Sequence, residues 1–340
     1  MSVVITGGGT GGHLKVADSL IEEYSKRGIK PIFIGSENGQ DKQWFENDER
    51  LKKAYFFETR GVVNKKGFGK IASLFNILKA MIQSLRVFNK YKIKSVISVG
   101  GFSAAPATFA SIVSPFCKLY IHEQNSVMGK LNEITSKFAT EVFSSFDKNS
   151  ILKDYPVSEE FFKSSRIREE LKTIIFLGGS QGATAINEFA LKVAPKLNEK
   201  GIKIIHQTGK NDFEKVSEEY KKLEIDVDVF AFTKELSKKM NEADFALSRS
   251  GASTLWELSA NCLPTLFIPY PYAAKDHQYT NAKFLEEKGL CYICRQNKLD
   301  EDFLFDILEK DNSEVSKKLV DSIQSNGVES IVDYILSNSK

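Results

Sequence analysis

Cysteine is scarce in this chain: Cys117, Cys262, Cys291 and Cys294 are the four among 340 residues. Four thiols cannot staple a chain of this length, so a disulfide-built fold is excluded and a reducing compartment is expected. Cys291 and Cys294 form a lone C-x-x-C in LCYIC. No second pair completes a zinc site, and residues three apart in a strand face opposite sides, so they read as buried thiols. Long apolar runs are missing too, which excludes a membrane-spanning helix. No charged-then-apolar leader precedes the first strand, so a cytoplasmic placement is expected. The third absence is local. Between Thr59 and His122 there is no Asp or Glu, against ten Lys or Arg. Because the whole chain carries +3 and this stretch +10, the remaining residues sum to −7. One face of the N-terminal half is therefore expected to be strongly positive.

A chain of this length, with 42% apolar and 27% charged residues, exceeds one ordinary core and suits two α/β domains. SVVIT reads as a strand, and LKVADSLIEEYSKRG as a helix with Leu14, Ala17, Leu20, Ile21 and Tyr24 on one face. Gly28 stops that helix, and KPIFIGS is the next strand. SVISVGG, KLYIHEQ and VFSSF continue the alternation. A second series runs TIIFLGG, KIIHQTG, VDVFAF, ADFALSRSG and PTLFIPY, with helices between. Repeated βαβ units predict parallel sheets with helices on both faces. The halves echo each other: VVITGGGTGGH and IIFLGGSQGA are each a strand, a glycine turn and a helix start. The polar stretch KDYPVSEEFFKSSRIREE reads as the linker between them. The amphipathic segment from Gly327 to Leu336 reads as a last helix able to pack on either half. Such folds bind ligands at the carboxyl ends of their strands, so a crevice between the halves is expected.

The first strand runs into five glycines within six positions, Gly7 to Gly12, and then His13. A tight strand-to-helix turn needs one or two glycines. Five point to a large or anionic group pressing on the main chain where helix N–H groups and the dipole favour phosphate. The spacing of Gly7, Gly9 and Gly12 also fits G-x-G-x-x-G, with Glu37 as the ribose acid of an NAD enzyme. A bulky imidazole beside a pyrophosphate turn is unusual there. A helix N-terminus disfavours the imidazolium, which makes His13 either a candidate base or a structural histidine. In GGSQGA, Ser180 either gives its hydroxyl to a phosphate or caps the helix. In SRSGASTLWELSA, Glu257 either suits the helix dipole or holds vicinal ribose hydroxyls. HEQN, His122 to Asn125, sets four polar groups at a strand's carboxyl end, where packing rarely needs them. KDHQYTNA opens a helix with Asp276 as a plausible N-cap, while Asp226 and Asp228 read as surface carboxylates. The basic segment predicts a helix from about Lys70 to Tyr91 with Leu74, Phe75, Leu78 and Ile82 beside Lys70, Lys79 and Arg86. Its aliphatic character argues for an anionic membrane surface over nucleic acid, with a broadly buried core helix as the plain alternative.

GGTGGH, GGFSAAP (Gly100 to Pro106), HEQN, GGSQGA, SRSGASTLWE and DHQYTNA occur in that order across essentially the whole chain. In this the chain resembles the MurG family, peripheral membrane glycosyltransferases that add the second sugar of the peptidoglycan precursor. The resemblance implies a GT-B fold, two Rossmann-like domains with a deep interdomain cleft. Residues 1–160 would serve acceptor and membrane docking and 164–322 the UDP-sugar donor. The C-terminal helix, about 325–338, would return to the first domain. The implied reaction is inverting transfer of N-acetylglucosamine from UDP-GlcNAc to the 4-hydroxyl of undecaprenyl-diphosphate-linked muramyl pentapeptide. It would run at the cytoplasmic face of the bacterial inner membrane, with no cofactor, metal or nucleic acid. By position, Thr10, Gly11, Gly12 and Ser180 would meet the diphosphate and nearby sugar. Ala252, Ser253, Thr254, Leu255 and Glu257 would line the donor, with Glu257 on the ribose. The main chain near Thr233 would read the uracil, and Asn125 and Gln278 would hold the transferred sugar's hydroxyls. His13 is the implied base and Glu123 its competitor. The basic apolar helix and Phe116 match the membrane-docking region.

Two positions depart from the family's pattern. Ser158 stands where a junction arginine often contacts the nucleotide, so either Arg166 or Arg168 replaces it or that contact is absent. Ala105 stands where a glycine often precedes the proline of GGFSAAP. The rival readings are another GT-B UDP-sugar enzyme, such as a glycolipid glycosyltransferase or a UDP-GlcNAc epimerase, and the NAD oxidoreductase.

Overall fold

Apolar β-prone runs closed by glycine turns alternate with helical stripes, and the computed structural model turns that alternation into two parallel six-stranded sheets. The structure describes residues 2–61, 68–179 and 181–339, without the side chains of 68–71. The chain divides into two compact units, Met1–Val157 with Asn326–Lys340, and Ser158–Ser325.

In the first unit the chain runs β1 (Val3–Thr6), α1 (Gly11–Lys26), β2 (Ile32–Ser36), α2 (Asp41–Phe45), β3 (Lys53–Phe57) and α3 (Phe68–Tyr91). It continues through β4 (Ser95–Ser98), α4 (Ala105–Val113), β5 (Lys118–Glu123), α5 (Lys130–Thr135) and β6 (Glu141–Ser144). The strands lie in the order β3-β2-β1-β4-β5-β6. β1, β2 and β4 are buried throughout, as expected of central parallel strands covered on both faces. On one face Val4, Ile34, Val96 and Ile121 pack with Ala80, Val87 and Phe88 of α3 and Ala107 and Ala110 of α4.

The second unit runs α6 (Glu159–Lys163), β7 (Thr173–Leu177), α7 (Thr184–Glu199), β8 (Lys203–Gln207), α8 (Phe213–Lys222), β9 (Val227–Phe230), α9 (Leu236–Glu242) and β10 (Phe245–Ser248). It ends with α10 (Ala252–Ala260), β11 (Thr265–Phe267), α11 (His277–Glu286), β12 (Tyr292–Ile293), α12 (Glu301–Leu308) and α13 (Ser313–Leu319). Its order, β12-β11-β10-β7-β8-β9, repeats the first sheet strand for strand. Each sheet therefore has a topological switch point, between β1 and β4 and between β7 and β10, where open α/β sheets bind ligands.

The stretch expected as a polar linker holds the boundary between the units, after Val157, and also sends large side chains into the cores: Tyr155, Phe161 and Arg168 are all buried. The last helix, α14 (Gly327–Asn338), lays Ile331, Val332 and Ile335 inward in the first unit. It packs along α1, pairs Asp333 with Arg27 at 3.0 Å and sets Tyr334 edge-on against Phe143. Cys291 and Cys294 flank β12 as buried free thiols. Among the described residues no helix is long and apolar enough to cross a membrane.

Candidate active site

In the first unit the two strands at the switch point each end in a glycine turn, and the turns pack on each other. Gly8 N–H donates to Gly100 O at 3.1 Å. Gly101 has φ +80°, and a Cβ there would stand 2.2 Å from Gly8 O, so only glycine fits. Thr10 precedes α1 in extended conformation, but its side chain does not cap the helix. Its Oγ1 lies 2.9 Å from His13 Nδ1 instead. The other edge of the His13 ring faces Gly100, close to Asn132, so the absence of a side chain at Gly100 makes room for the imidazole. A residue the sequence did not single out holds this turn. Asp41 is fully buried, and its carboxylate accepts from Gly9 N at 2.5 Å and Ser36 N at 2.9 Å. Burial pushes its pKa up, opposed by these hydrogen bonds.

Of the HEQN motif, three side chains have scaffold tasks. His122 is buried edge-on against Tyr155, and its Nδ1 has no partner among the described residues. Burial, with a smaller contribution from His13, pushes its pKa down to about 3, so it is neutral. Glu123 is 4% exposed, and three donors converge on it. Asn125 N reaches Oε1 at 2.9 Å, while Gly129 N and Asn132 Nδ2 reach Oε2 at 3.0 and 2.8 Å. Its carboxylate thus folds the 124–132 loop around itself, which is a positioning task. Gln124 donates to Val99 O and accepts from Tyr155 OH. Asn125 alone is half-exposed.

In the second unit a glycine turn follows β7 and a single glycine precedes the helix after β10. After β7, Gly182 (φ +82°) packs against Gly209 and Thr208 O, and α7 starts behind Ala183, which has no polar side chain to cap it. Ser180 lies outside the described residues. A buried network braces this turn: Asn187 of α7 donates to Thr208 O and to Asp212 Oδ2, at 3.0 and 2.8 Å. Its Oδ1 accepts from His206 Nε2 at 3.0 Å. Asn187 thereby makes His206 the Nε2–H tautomer, whose Nδ1 accepts from Tyr220 OH at 2.9 Å. After β10, α10 begins behind Gly251, which likewise offers no cap. Ala252, Ser253 and Glu257 are buried at its start and Thr254 is half-buried. Leu255 has its side chain in the core, and its N–H is bonded to Gly251 O. Thr233 Oγ1 accepts from Glu235 N at 3.0 Å, which folds the turn after β9. Gln278, in the first turn of α11, accepts through Oε1 from Tyr270 N at 2.9 Å.

Both candidates for the junction arginine are bonded within the second unit. Arg166 is bonded to Asn241 O, Ala243 O and Asp244. Arg168 is 2% exposed, with its guanidinium enclosed by Ala243 O, Arg166 O, Asn261 O, Met240 O and Asn261 Oδ1. Asp228 pairs with Lys239 at 2.7 Å, on the surface. On α3, Leu74, Phe75, Leu78 and Ile82 are 45–67% exposed in one stripe at helical spacing, with Lys79 and Arg86 exposed among them. The side chain of Lys70 lies outside the described residues. Phe116, beyond the end of α4, is 86% exposed.

The glycosyltransferase family 28 N-terminal domain matches residues 3–144, and the glycosyltransferase family 28 C-terminal domain matches residues 173–335. The chain is 53% identical over 337 residues to the UDP-N-acetylglucosamine--N-acetylmuramyl-(pentapeptide) pyrophosphoryl-undecaprenol N-acetylglucosamine transferase of Campylobacter jejuni strain 81116, covering 99% of this chain and 98% of that one. It is 47% identical to the transferase of the same name from Wolinella succinogenes, over 99% and 100% of the two chains. The crystal structure of Acinetobacter baumannii MurG superposes with a TM-score of 0.77 at 27% identity, over 99% of both chains. Two units with the same strand order, and relatives alike from end to end, lead to one conclusion: this chain belongs to glycosyltransferase family 28, and within it to the MurG family.

Proposed function

We propose that this chain transfers N-acetylglucosamine from UDP-GlcNAc to the 4-hydroxyl of lipid-linked N-acetylmuramyl pentapeptide, with inversion, in peptidoglycan synthesis. The observation that carries this is the likeness, over nearly the whole chain and at about half its residues, to transferases named for that reaction. The geometry suits the chemistry. In an inverting displacement the acceptor oxygen bonds to the anomeric carbon as the bond to UDP breaks. The electron pair leaves with the diphosphate, and the acceptor proton needs a base. In the second unit, the starts of α7 and α10 offer dipole and N–H stabilisation to that diphosphate, with Ser180 adding its hydroxyl. Glu257 takes the ribose, the main chain near Thr233 the uracil, and Asn125 and Gln278 the sugar hydroxyls. In the first unit Thr10, Gly11, Gly12 and His13 meet the reacting sugars. For His13 Nε2 to take the proton, Nδ1 must carry the hydrogen and donate to Thr10 Oγ1. Glu123 acts through the loop it folds.

The acceptor is a lipid, and the exposed stripe on α3 with Phe116 provides aliphatic and aromatic surface beside Lys79 and Arg86. We assign it to docking on an anionic membrane, at the cytoplasmic face of the inner membrane, since each basic residue near such a surface contributes about 1 kcal/mol. The test is transfer of labelled sugar from UDP-GlcNAc to detergent-dispersed lipid-linked muramyl pentapeptide, with and without EDTA, for the wild type and His13→Ala. Transfer that survives EDTA and collapses in the variant, with UDP binding retained, is the expected result. A folded, UDP-binding wild type that transfers nothing overturns the assignment of acceptor.

A further inference from the structure

Gln278 sits one turn away from unusual backbone. Lys275 and Asp276, the two residues before α11, both lie in the left-handed region, at φ +52° and +53°. Neither is glycine, and such conformations persist where surrounding contacts over-determine them. Three contacts act on this turn. Asp276 Oδ2 accepts from Arg295 Nη2 at 2.7 Å. The Arg295 guanidinium also lies 3.8 Å from the centre of the Tyr279 ring, on the same helix as Gln278. His277 Nδ1 is 2.9 Å from Ala274 O. Arg295 comes from beyond β12, so it ties the start of α11 to the edge of the sheet. From the other side, Tyr270 N fixes Gln278 Oε1, which leaves the amide Nε2–H groups as the part offered to a ligand. Arg249 steadies that wall by donating to Ile268 O and Pro269 O.

We propose that Asp276 and Arg295 are a positioning pair that fixes the left-handed turn before α11 and thereby aims Gln278, so that recognition of the donor sugar depends on two residues that do not touch it. The inference rests on Gln278 being a contact of the transferred sugar. Both side chains are about 40% exposed, 39% for Asp276 and 43% for Arg295, and an exposed pair adds little to folding. Variants at these positions therefore fold, and geometry is what they alter.

The experiment compares Gln278→Ala, Arg295→Leu, Asp276→Ala and Asp276→Asn in the full chain. KM for UDP-GlcNAc, its selectivity against the 4-epimeric UDP-N-acetylgalactosamine, and the inhibition constant of UDP are measured for each. Arg295→Leu and Asp276→Ala are expected to raise KM roughly tenfold and reduce selectivity by a similar factor, with UDP inhibition unchanged. Asp276→Asn, which tolerates the left-handed region and keeps an acceptor oxygen, should stay within about twofold of wild type. Combining Arg295→Leu with Gln278→Ala should add nothing to Gln278→Ala alone. If Gln278→Ala leaves KM unchanged, the sugar contact itself is wrong. If Gln278→Ala raises KM but the pair variants do not, the positioning pair is overturned and the contact stands. Weakened UDP inhibition in the pair variants also overturns it, because the damage then extends beyond the sugar.

Discussion

Replacing Glu123 with glutamine separates two roles that look alike in an activity assay. A carboxylate accepts through both oxygens, and here all three donors, from Asn125, Gly129 and Asn132, point at it. Glutamine keeps the shape but has one oxygen. Its better orientation keeps that oxygen on Gly129 and Asn132 and turns an NH2 group towards the Asn125 N–H. One charge-assisted bond is lost, a buried donor is left unpaired, and two donors are forced together. Together these cost about 2–4 kcal/mol. For a unit of about 170 residues that is a fall in melting temperature of roughly 5–12 °C. Calorimetry should show this fall for Glu123→Gln, and hydrogen exchange should show faster opening across residues 124–132. Transfer should drop as Asn125 loses its place, while UDP binding in the second unit stays intact. A Glu123→Gln protein with unchanged melting and exchange, but with transfer abolished, would refute this reasoning and make Glu123 the base.

Acid stability should depend on His122 in the first unit and His206 in the second. Burial pushes both pKa values down to about 3. Between that value and the unfolded value near 6.5, the unfolded chain binds a proton that each native histidine refuses. Stability is therefore complete above pH 6.5 and declines below it by about 1.4 kcal/mol per pH unit for each histidine, down to pH 3. His206→Gln should flatten the decline of the second unit's melting temperature between pH 6.5 and 5, and an unaltered slope would exclude His206 as its source. Arg168→Met should destabilise the second unit by about 3 kcal/mol, since Arg166 O, Asn261 O and Asn261 Oδ1 lose the guanidinium that faces them. A variant melting like the wild type would show that those carbonyls find other donors.

The alternation of apolar runs, glycine turns and helical stripes determined most of the architecture. Burial of β1, β2, β4 and β7 follows directly from VVIT, IFIGS, SVIS and TIIFL. β3 was not legible: KAYFF lies at the sheet edge, with Lys53 exposed and the next three residues only partly buried, so its pattern is weak. The glycine turns were legible as phosphate-sized openings because backbone conformation is a local property. The same locality explains the G-x-G-x-x-G match, since many strand-to-helix turns that admit a diphosphate need glycine at those spacings. The tasks of polar side chains were not local. Asp41 meets Gly9 across 32 positions, and Arg295 reaches back 19 positions to Asp276. Arg168 is enclosed by carbonyls as far away as Asn261. HEQN reads as four site residues in a row, yet the tertiary structure turns His122, Glu123 and Gln124 to bracing their surroundings. By itself the sequence determined where the main chain opens and which helix sets aliphatic beside basic residues. Only the tertiary structure decided which polar groups are satisfied by the protein, because burial and hydrogen-bond partners are set by residues distant in the chain.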